Sequence, residues 1–153
     1  MMHLAEQNEK KVTLTGNQLA QLAEQERQKL SEINRRASSL QGFRNELQGA
    51  RDALEEIGKN EKGTQMLVNL GAGILVKASI EDNSKAIASF APNAFTEKTG
   101  KELVKEMERK MAEIDKTLNG VAQEQSRAIS RLGQLEQIME AGMRQMQKAR
   151  GQN

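Results

Sequence analysis

Cysteine, tryptophan and tyrosine are absent from the 153 residues, and histidine and proline occur once each, as His3 and Pro92. Without cysteine there are no disulfides, thiolate zinc sites or cysteine nucleophiles; the composition fits a reducing compartment. One histidine excludes a multi-histidine metal site and makes triad chemistry implausible. Aromatic residues are 2% of the chain: Phe43, Phe90 and Phe95. Aromatic side chains supply much of the buried area in compact cores, so a dense globular core of this size is not expected. No apolar run approaches ~18 residues, so no membrane span is expected. The first residues carry Glu6, Glu9, Lys10 and Lys11 in place of an apolar signal core, which makes the cytoplasm the expected location. Charge of one sign is also lacking: 23 basic against 21 acidic residues give +2. That balance argues against a nucleic-acid binder, which shows a clustered basic excess, and against an acidic disordered tail.

What the chain has in abundance is Ala, Glu, Gln, Lys, Arg and Leu, crowded toward both ends. These are good helix formers. The middle, from about Gly58 to Gly100, instead mixes β-branched and apolar residues with Gly, Asn and Ser. The layout is helix, β segment, helix, divided as residues 1–58, 59–99 and 100–153.

The C-terminal stretch carries the clearest pattern. Val104, Met107, Met111, Ile114, Leu118, Val121, Gln125, Ala128, Leu132, Leu135, Met139, Gly142 and Met146 alternate in steps of three and four. Only Gln125 and Gly142 are not apolar. A period of 3.5 holds a narrow stripe against one partner helix, so the stretch reads as a coiled coil. At ~1.5 Å per residue its six heptads span roughly 63 Å. Thr99 with Glu102 fits a capping box at its start.

The N-terminal stretch carries a matching row at seven-residue steps: Val12, Leu19, Glu26, Ile33, Leu40, Leu47 and Leu54. A second row reads Leu22, Leu30, Ala37, Phe43, Ala50 and Ile57, slipping between threes and fours. Thr15 with Gln18 is a second candidate capping box, placing the helix start near Gly16. Gly58 marks its expected end. Neither stripe can stay in water alone, so the two helices are expected to pair antiparallel, pairing with other chains being the competing reading.

Four short strands are expected between them: Met66 to Leu70, Ile74 to Ile80, Ala86 to Ala91 and Ala94 to Lys98. Ile74, Val76, Ala78 and Ile80 alternate with Leu75, Lys77 and Ser79, the period of two that a strand requires. Glu81-Asp82-Asn83-Ser84 and Pro92-Asn93 are turn signals. A four-stranded piece with apolar residues on more than one face exposes sheet edges and points to oligomerisation through the strands.

Motifs for chemistry are weak. Gly71-Ala72-Gly73 is not a dinucleotide loop: position 76 is Val76 and no helix follows. A tight turn or bulge accounts for it. Glu55, Glu56, Glu61, Asp82, Glu106 and Glu108 lack basic or metal-binding partners at a recognisable spacing; charged flanks of a coiled coil account for them. No catalytic or metal-binding residue and no cofactor is assigned. Met139, Met143 and Met146 stand at the far end of the second helix, facing Met1, Met2, Leu4, Val12 and Leu14 in an antiparallel hairpin. Methionine is flexible and polarisable, which suits a surface accepting many apolar shapes; ordinary core packing is the competing reading for Met139 and Met146. Met143 lies outside the seam and is expected to face solvent.

A heptad helix, the run Met66-Leu67-Val68-Asn69-Leu70-Gly71-Ala72-Gly73-Ile74-Leu75-Val76-Lys77-Ala78, and Thr96-Glu97-Lys98-Thr99 opening a second heptad helix together resemble the prefoldin family. Two hairpins rather than one resemble its alpha class. Asn69 departs from the family's frequent proline before the first turn, and Phe90-Ala91-Pro92-Asn93-Ala94 departs from its usual glycine-rich second turn. The resemblance implies an α+β, mainly α fold: a long antiparallel coiled-coil hairpin with two central β-hairpins that join an oligomeric β-barrel. It implies an ATP-independent co-chaperone, a hexamer of two alpha-class and four beta-class subunits. Its coiled-coil tips hold unfolded polypeptide and pass it to a group II chaperonin. Neither a nucleic acid nor a membrane is an expected partner. On this reading Leu67, Val68, Ile74, Val76, Ile80, Ile87 and Phe90 build the inter-subunit barrel. Leu4, Val12, Leu14, Met139, Met143 and Met146 form the client-binding tip. The competing reading is a structural coiled-coil scaffold that binds no client.

Overall fold

A computed structural model describes residues 15–151. Six elements follow in order: α1 (Gly16–Lys59), β1 (Gln65–Gly71), β2 (Ile74–Ser79), β3 (Lys85–Ala91), β4 (Ala94–Thr99) and α2 (Gly100–Gly151). Both helix starts are capped from the sequence. The Thr15 amide donates to Gln18 Oε1 at 3.0 Å and the Gln18 amide to Thr15 Oγ1 at 3.2 Å, a reciprocal box. At α2 the Glu102 amide donates to Thr99 Oγ1 at 3.2 Å, and the Gly100 amide to the Ser84 carbonyl at 2.8 Å. Helix α1 runs one residue past the expected end at Gly58. Asn60 Nδ2 donates to the Glu56 carbonyl at 2.8 Å, so a side chain satisfies one of the last carbonyls without a left-handed glycine.

The strands form two separate two-stranded antiparallel sheets, β1–β2 and β3–β4. They are the two expected β-hairpins, and the described residues hold no closed barrel. Val68 pairs with Val76 and Met66 with Ala78 across the first sheet; Ala88 pairs with Thr96 and Ser89 with Phe95 across the second. The first turn puts Ala72 at φ 52° and Gly73 at φ 78°, the double left-handed geometry of a two-residue hairpin loop. The Asn69 carboxamide accepts from the Gly71 amide at 2.8 Å beside the bulge. In the second turn Pro92 sets a negative φ and Asn93 takes φ 58°, which asparagine tolerates. Pro92-Asn93, the expected turn signal, thus closes the second hairpin without a glycine.

The chain divides into two compact units. One holds residues 40–117, with both hairpins. Its helical seam is Leu47, Leu103, Met111 and Ile114, all buried. Arg44 donates to Asp115 at 2.6 and 3.2 Å, and Arg51 to Glu108 at 3.0 Å. The Lys98 ammonium meets Glu106 at 2.6 Å and ties β4 to α2. Asp82 accepts from the Ser84 amide and hydroxyl at 2.8 and 2.7 Å in the link between hairpins. The other unit holds the described parts of residues 1–39 and 118–153. There Leu19, Ala23, Val121 and Ala128 are buried, and Gln125 donates to Asn34 Oδ1 at 2.6 Å.

Every expected seam position of α2 from Val104 to Met139 is buried or half-buried, whereas Gly142 and Met146 are exposed. The first row of α1 behaves likewise from Leu19 to Leu54. Its second row does not. Leu22, Phe43 and Ala50 are exposed, Phe43 at 47%. The covered row is Ala23, Leu30, Ala37, Arg44 and Arg51, a strict seven-residue repeat. Arg44 and Arg51 lay their aliphatic stems along the seam and reach acids on the facing helix, so arginine occupies positions where a search for apolar residues takes their neighbours.

Candidate functional site

Two apolar surfaces stand out, one in each unit. The first is on the hairpins. Leu67, Val68, Ile74, Val76, Ile87 and Phe90 are exposed, Ile87 at 75%. Ile80 differs. It is 7% exposed, one residue past β2; its amide donates to the Thr64 carbonyl at 3.0 Å and its carbonyl accepts from Gly63 at 2.7 Å. Those bonds hold it inside the unit's own fold, so it is withdrawn from the expected interface. Met66, Leu70, Leu75 and Phe95 are exposed as well and were missed, although the alternation that places Leu67 outward also places Leu75 on the same face. On β3–β4 the half-buried face is Ala86, Ala88, Ala94, Thr96 and Lys98, which borders a groove with Leu47, Leu54 and Met107. The outer face carries Ile87 and Phe95.

The polar frame of this unit is electrostatically settled. Hydrogen bonding from the Ser84 hydroxyl, backed by its amide, holds the Asp82 carboxyl below its ordinary range. The Lys98 ammonium does the same for Glu106, and the Arg44 guanidinium for Asp115. Asp115 in turn raises Arg44. Lys98–Glu106 and Arg44–Asp115 are structural ion pairs, and Asp82 is a hydrogen-bonded turn carboxylate.

The second surface is the end of α2. Met139 is half-buried in the seam, while Met143 and Met146 are 62% and 66% exposed. Ile138, not foreseen, is exposed beside them. Glu136 pairs with Arg27 at 3.5 Å and Glu140 with Arg144 at 3.1 Å. Leu4, Val12 and Leu14, expected at the same tip, lie outside the described residues. Each surface exposes apolar side chains. Among the described residues no group of three or more acidic or histidine side chains is placed to hold a metal ion, and no helix is long and apolar enough to cross a membrane.

Comparison with known proteins places this geometry. The family model for prefoldin subunits matches residues 26–145, more than half of the chain. Prefoldin subunit alpha of Thermofilum pendens is 27% identical over 118 residues, covering 77% of this chain and 86% of that protein. A chain of the cryo-EM structure of filamentous PFD from Methanocaldococcus jannaschii superimposes with a TM-score of 0.62 at 16% identity, covering 78% of this chain and 96% of that one. At that identity the likeness speaks for the fold. Two capped heptad helices flank two hairpins in this chain, and on the match of the family model over more than half of its length the chain belongs to the prefoldin family.

Proposed function

We propose that this chain is the alpha-class subunit of an ATP-independent holdase, a hexamer of two alpha-class and four beta-class subunits in the cytoplasm. The exposed hairpin residues Leu67, Val68, Ile74, Val76, Ile87 and Phe90 join a β-barrel with the other subunits. The helix ends, with Leu4, Val12, Leu14, Met139, Met143 and Met146, hold unfolded polypeptide and hand it to a group II chaperonin. The observation that carries this reading is the exposure of Met143 and Met146, 62% and 66%, on a helix whose heptad positions are covered from Val104 to Met139. Neither residue helps close the seam, so both are available for transient apolar contact. Such contacts are weak singly and add when several subunits present them on one body. Holding requires no covalent step and no cofactor.

The test is aggregation of a denatured protein diluted into the assembled hexamer. Removing residues 1–14 and 139–153 together leaves the assembly intact and sharply weakens protection. Met143→Ser with Met146→Ser gives a milder loss. Full protection by the doubly truncated hexamer overturns the client-binding role and favours a plain scaffold.

A further inference from the structure

The two hairpins are one unit repeated after twenty residues. Adding 20 to a ladder pair of β1–β2 gives a ladder pair of β3–β4. Gln65 with Ser79 becomes Lys85 with Thr99, Leu67 with Lys77 becomes Ile87 with Glu97, and Asn69 with Leu75 becomes Ser89 with Phe95. The bulge recurs as well, between Asn69 and Gly71 and between Ser89 and Ala91. No residue is identical between the two ladders, but one face repeats in kind. It carries Leu67 and Leu75 on the first hairpin and Ile87 and Phe95 on the second, all exposed. One position on that face changes sign: Lys77 in β2 stands where Glu97 stands in β4.

Neither charge is used within the chain. Both side chains are exposed, and neither has an ion-pair or side-chain hydrogen-bond partner among the described residues. The other charges of the second hairpin are placed differently. Lys98 meets Glu106, and Lys85 follows closely on Asp82, whose carboxylate its amide meets at 3.3 Å. The strand edges are open too. Each sheet has two strands, so β2 and β4 each keep one unpaired edge. A lone two-stranded ribbon is marginal in water, and an open edge is a template for another strand. The first hairpin has apolar side chains exposed on both faces, Leu67 and Leu75 on one, Val68 and Val76 on the other. The second has one face half-buried within its own unit.

We infer that β2 of one copy of this chain pairs antiparallel with β4 of a second copy, with Lys77 directly opposite the partner's Glu97. A row across the joined sheet then runs Leu67, Lys77, the partner's Glu97, the partner's Ile87: an ion pair in the centre and an apolar residue on each side. Residues directly opposite share a face, and a slip of one residue turns Lys77 to the wrong face, so the pair fixes the register. The same join carries Val68 and Val76 to the side on which a second hairpin borders the groove with Leu47, Leu54 and Met107, which gives that face cover. Two copies related by a two-fold axis do this reciprocally, each giving its first hairpin to the other's second. Like hairpins are discouraged, because Lys77 would meet Lys77 and Glu97 would meet Glu97. The inference rests on the hairpin-joining part of the reading above and deepens it by naming the strands, the register and the neighbour.

The experiment is sedimentation velocity on the full chain, without other subunits and without client. The parent is expected to self-associate. Lys77→Glu and Glu97→Lys each turn the central pair into a repulsion and are expected to weaken self-association about tenfold or more. Both sites are exposed, so the far-ultraviolet helix signal stays that of the parent. The double exchange, Lys77→Glu with Glu97→Lys, restores the parent's association. So does an equimolar mixture of the two single variants, since each offers the charge that the other lacks. Recovery in the double exchange but not in the mixture places the pair within one chain and overturns the proposal. Single variants that associate as tightly as the parent overturn it, as does a parent chain that stays monomeric. Charge effects seen only on co-assembly with a beta-class subunit assign the β2 edge to that subunit and overturn it as well. In each of these cases the reading above stands as long as the chain assembles with beta-class subunits; a chain that assembles with nothing overturns both.

Discussion

Glu26→Leu is expected to stabilise the chain. Glu26 sits in the seam row between Leu19 and Ile33 and is 8% exposed. Its Oε2 has no hydrogen-bond partner among the described residues. The nearest cations are Arg131 Nε and Lys29 Nζ, both at 3.7 Å, with side chains 55% and 62% exposed. At that distance and exposure each pair is worth about 0.2–1 kcal/mol. Against this stand about 1–3 kcal/mol for a buried acceptor left unsatisfied, and about 1.5–3 kcal/mol that a buried leucine contributes. The neighbouring seam is small, with Ala23 and Ala128 both at 0% exposure, and leucine is close to glutamate in volume, so no overpacking is forced. The expected net gain is about 1–4 kcal/mol, the range for replacing buried ion pairs by apolar side chains. For a chain of this size that raises the melting temperature by about 2–4 °C per kcal/mol.

The assay is thermal melting by circular dichroism at fixed protein concentration, since assembly couples to stability. A double-mutant cycle separates the cause. Arg131→Met leaves Glu26 with one fewer counter-charge and is expected to destabilise the parent, yet to cost almost nothing in the Glu26→Leu background. A Glu26→Leu protein that melts at or below the parent, or an Arg131→Met cost equal in both backgrounds, refutes the reasoning.

Val76→Asp is expected to abolish assembly while the far-ultraviolet helix signal survives: Val76 is exposed in the single chain beside Val68, whereas an unpaired carboxylate buried between subunits costs several kcal/mol. An intact hexamer of Val76→Asp on size exclusion removes that strand face from the interface. Acid is expected to destabilise the fold only in the carboxylate range. Asp82, Glu106 and Asp115 all have folded values below their ordinary ones, so the unfolded chain binds more protons, and their stabilisation is fully present above the unfolded value and lost as pH falls through the folded one. Urea midpoints should stay level from about pH 7 to 5 and drop below about pH 4; a decline between pH 7 and 6 would contradict the assignment.

The α2 seam was readable because one period runs unbroken through apolar residues, and the strands because alternation and turn residues agree on where each begins. What escaped depends on the partner. Phe43 looks like a better seam residue than Arg44 until Asp115 is known to lie opposite; the sequence of α1 alone cannot show that. Leu22 against Ala23 is the same case: the buried position next to Glu26 takes the smaller side chain. Ile80 fits the outward alternation of β2 but lies beyond the last ladder pair, Gln65 with Ser79, where backbone bonds to Gly63 and Thr64 decide its place. Within the tip, Met146 is 66% exposed. Its heptad position alone predicts a covered residue.

The two units spend their seam positions differently, and the difference bears on what each has to do. Residues 40–117 bury Leu47, Leu103, Met111 and Ile114 and flank them with the Arg44–Asp115 and Arg51–Glu108 pairs. Arg44 and Arg51 lay their aliphatic stems in the seam row there, and their charged ends reach the more solvated carboxylates of Asp115 and Glu108. The other unit places Glu26 and Gln125 in the seam itself and fills its buried positions partly with alanine, at 23 and 128. Alanine contributes little burial, and a charge in the seam subtracts from it, so this unit gains less from closing its helices. A polar residue at a seam position also restricts which registers can form. Low local stability is characteristic of parts that bind and release ligands. A body that presents strands for assembly gains from a rigid seam. On the proposed function, a tip that meets apolar segments of many shapes would gain from helices whose separation is not strongly opposed.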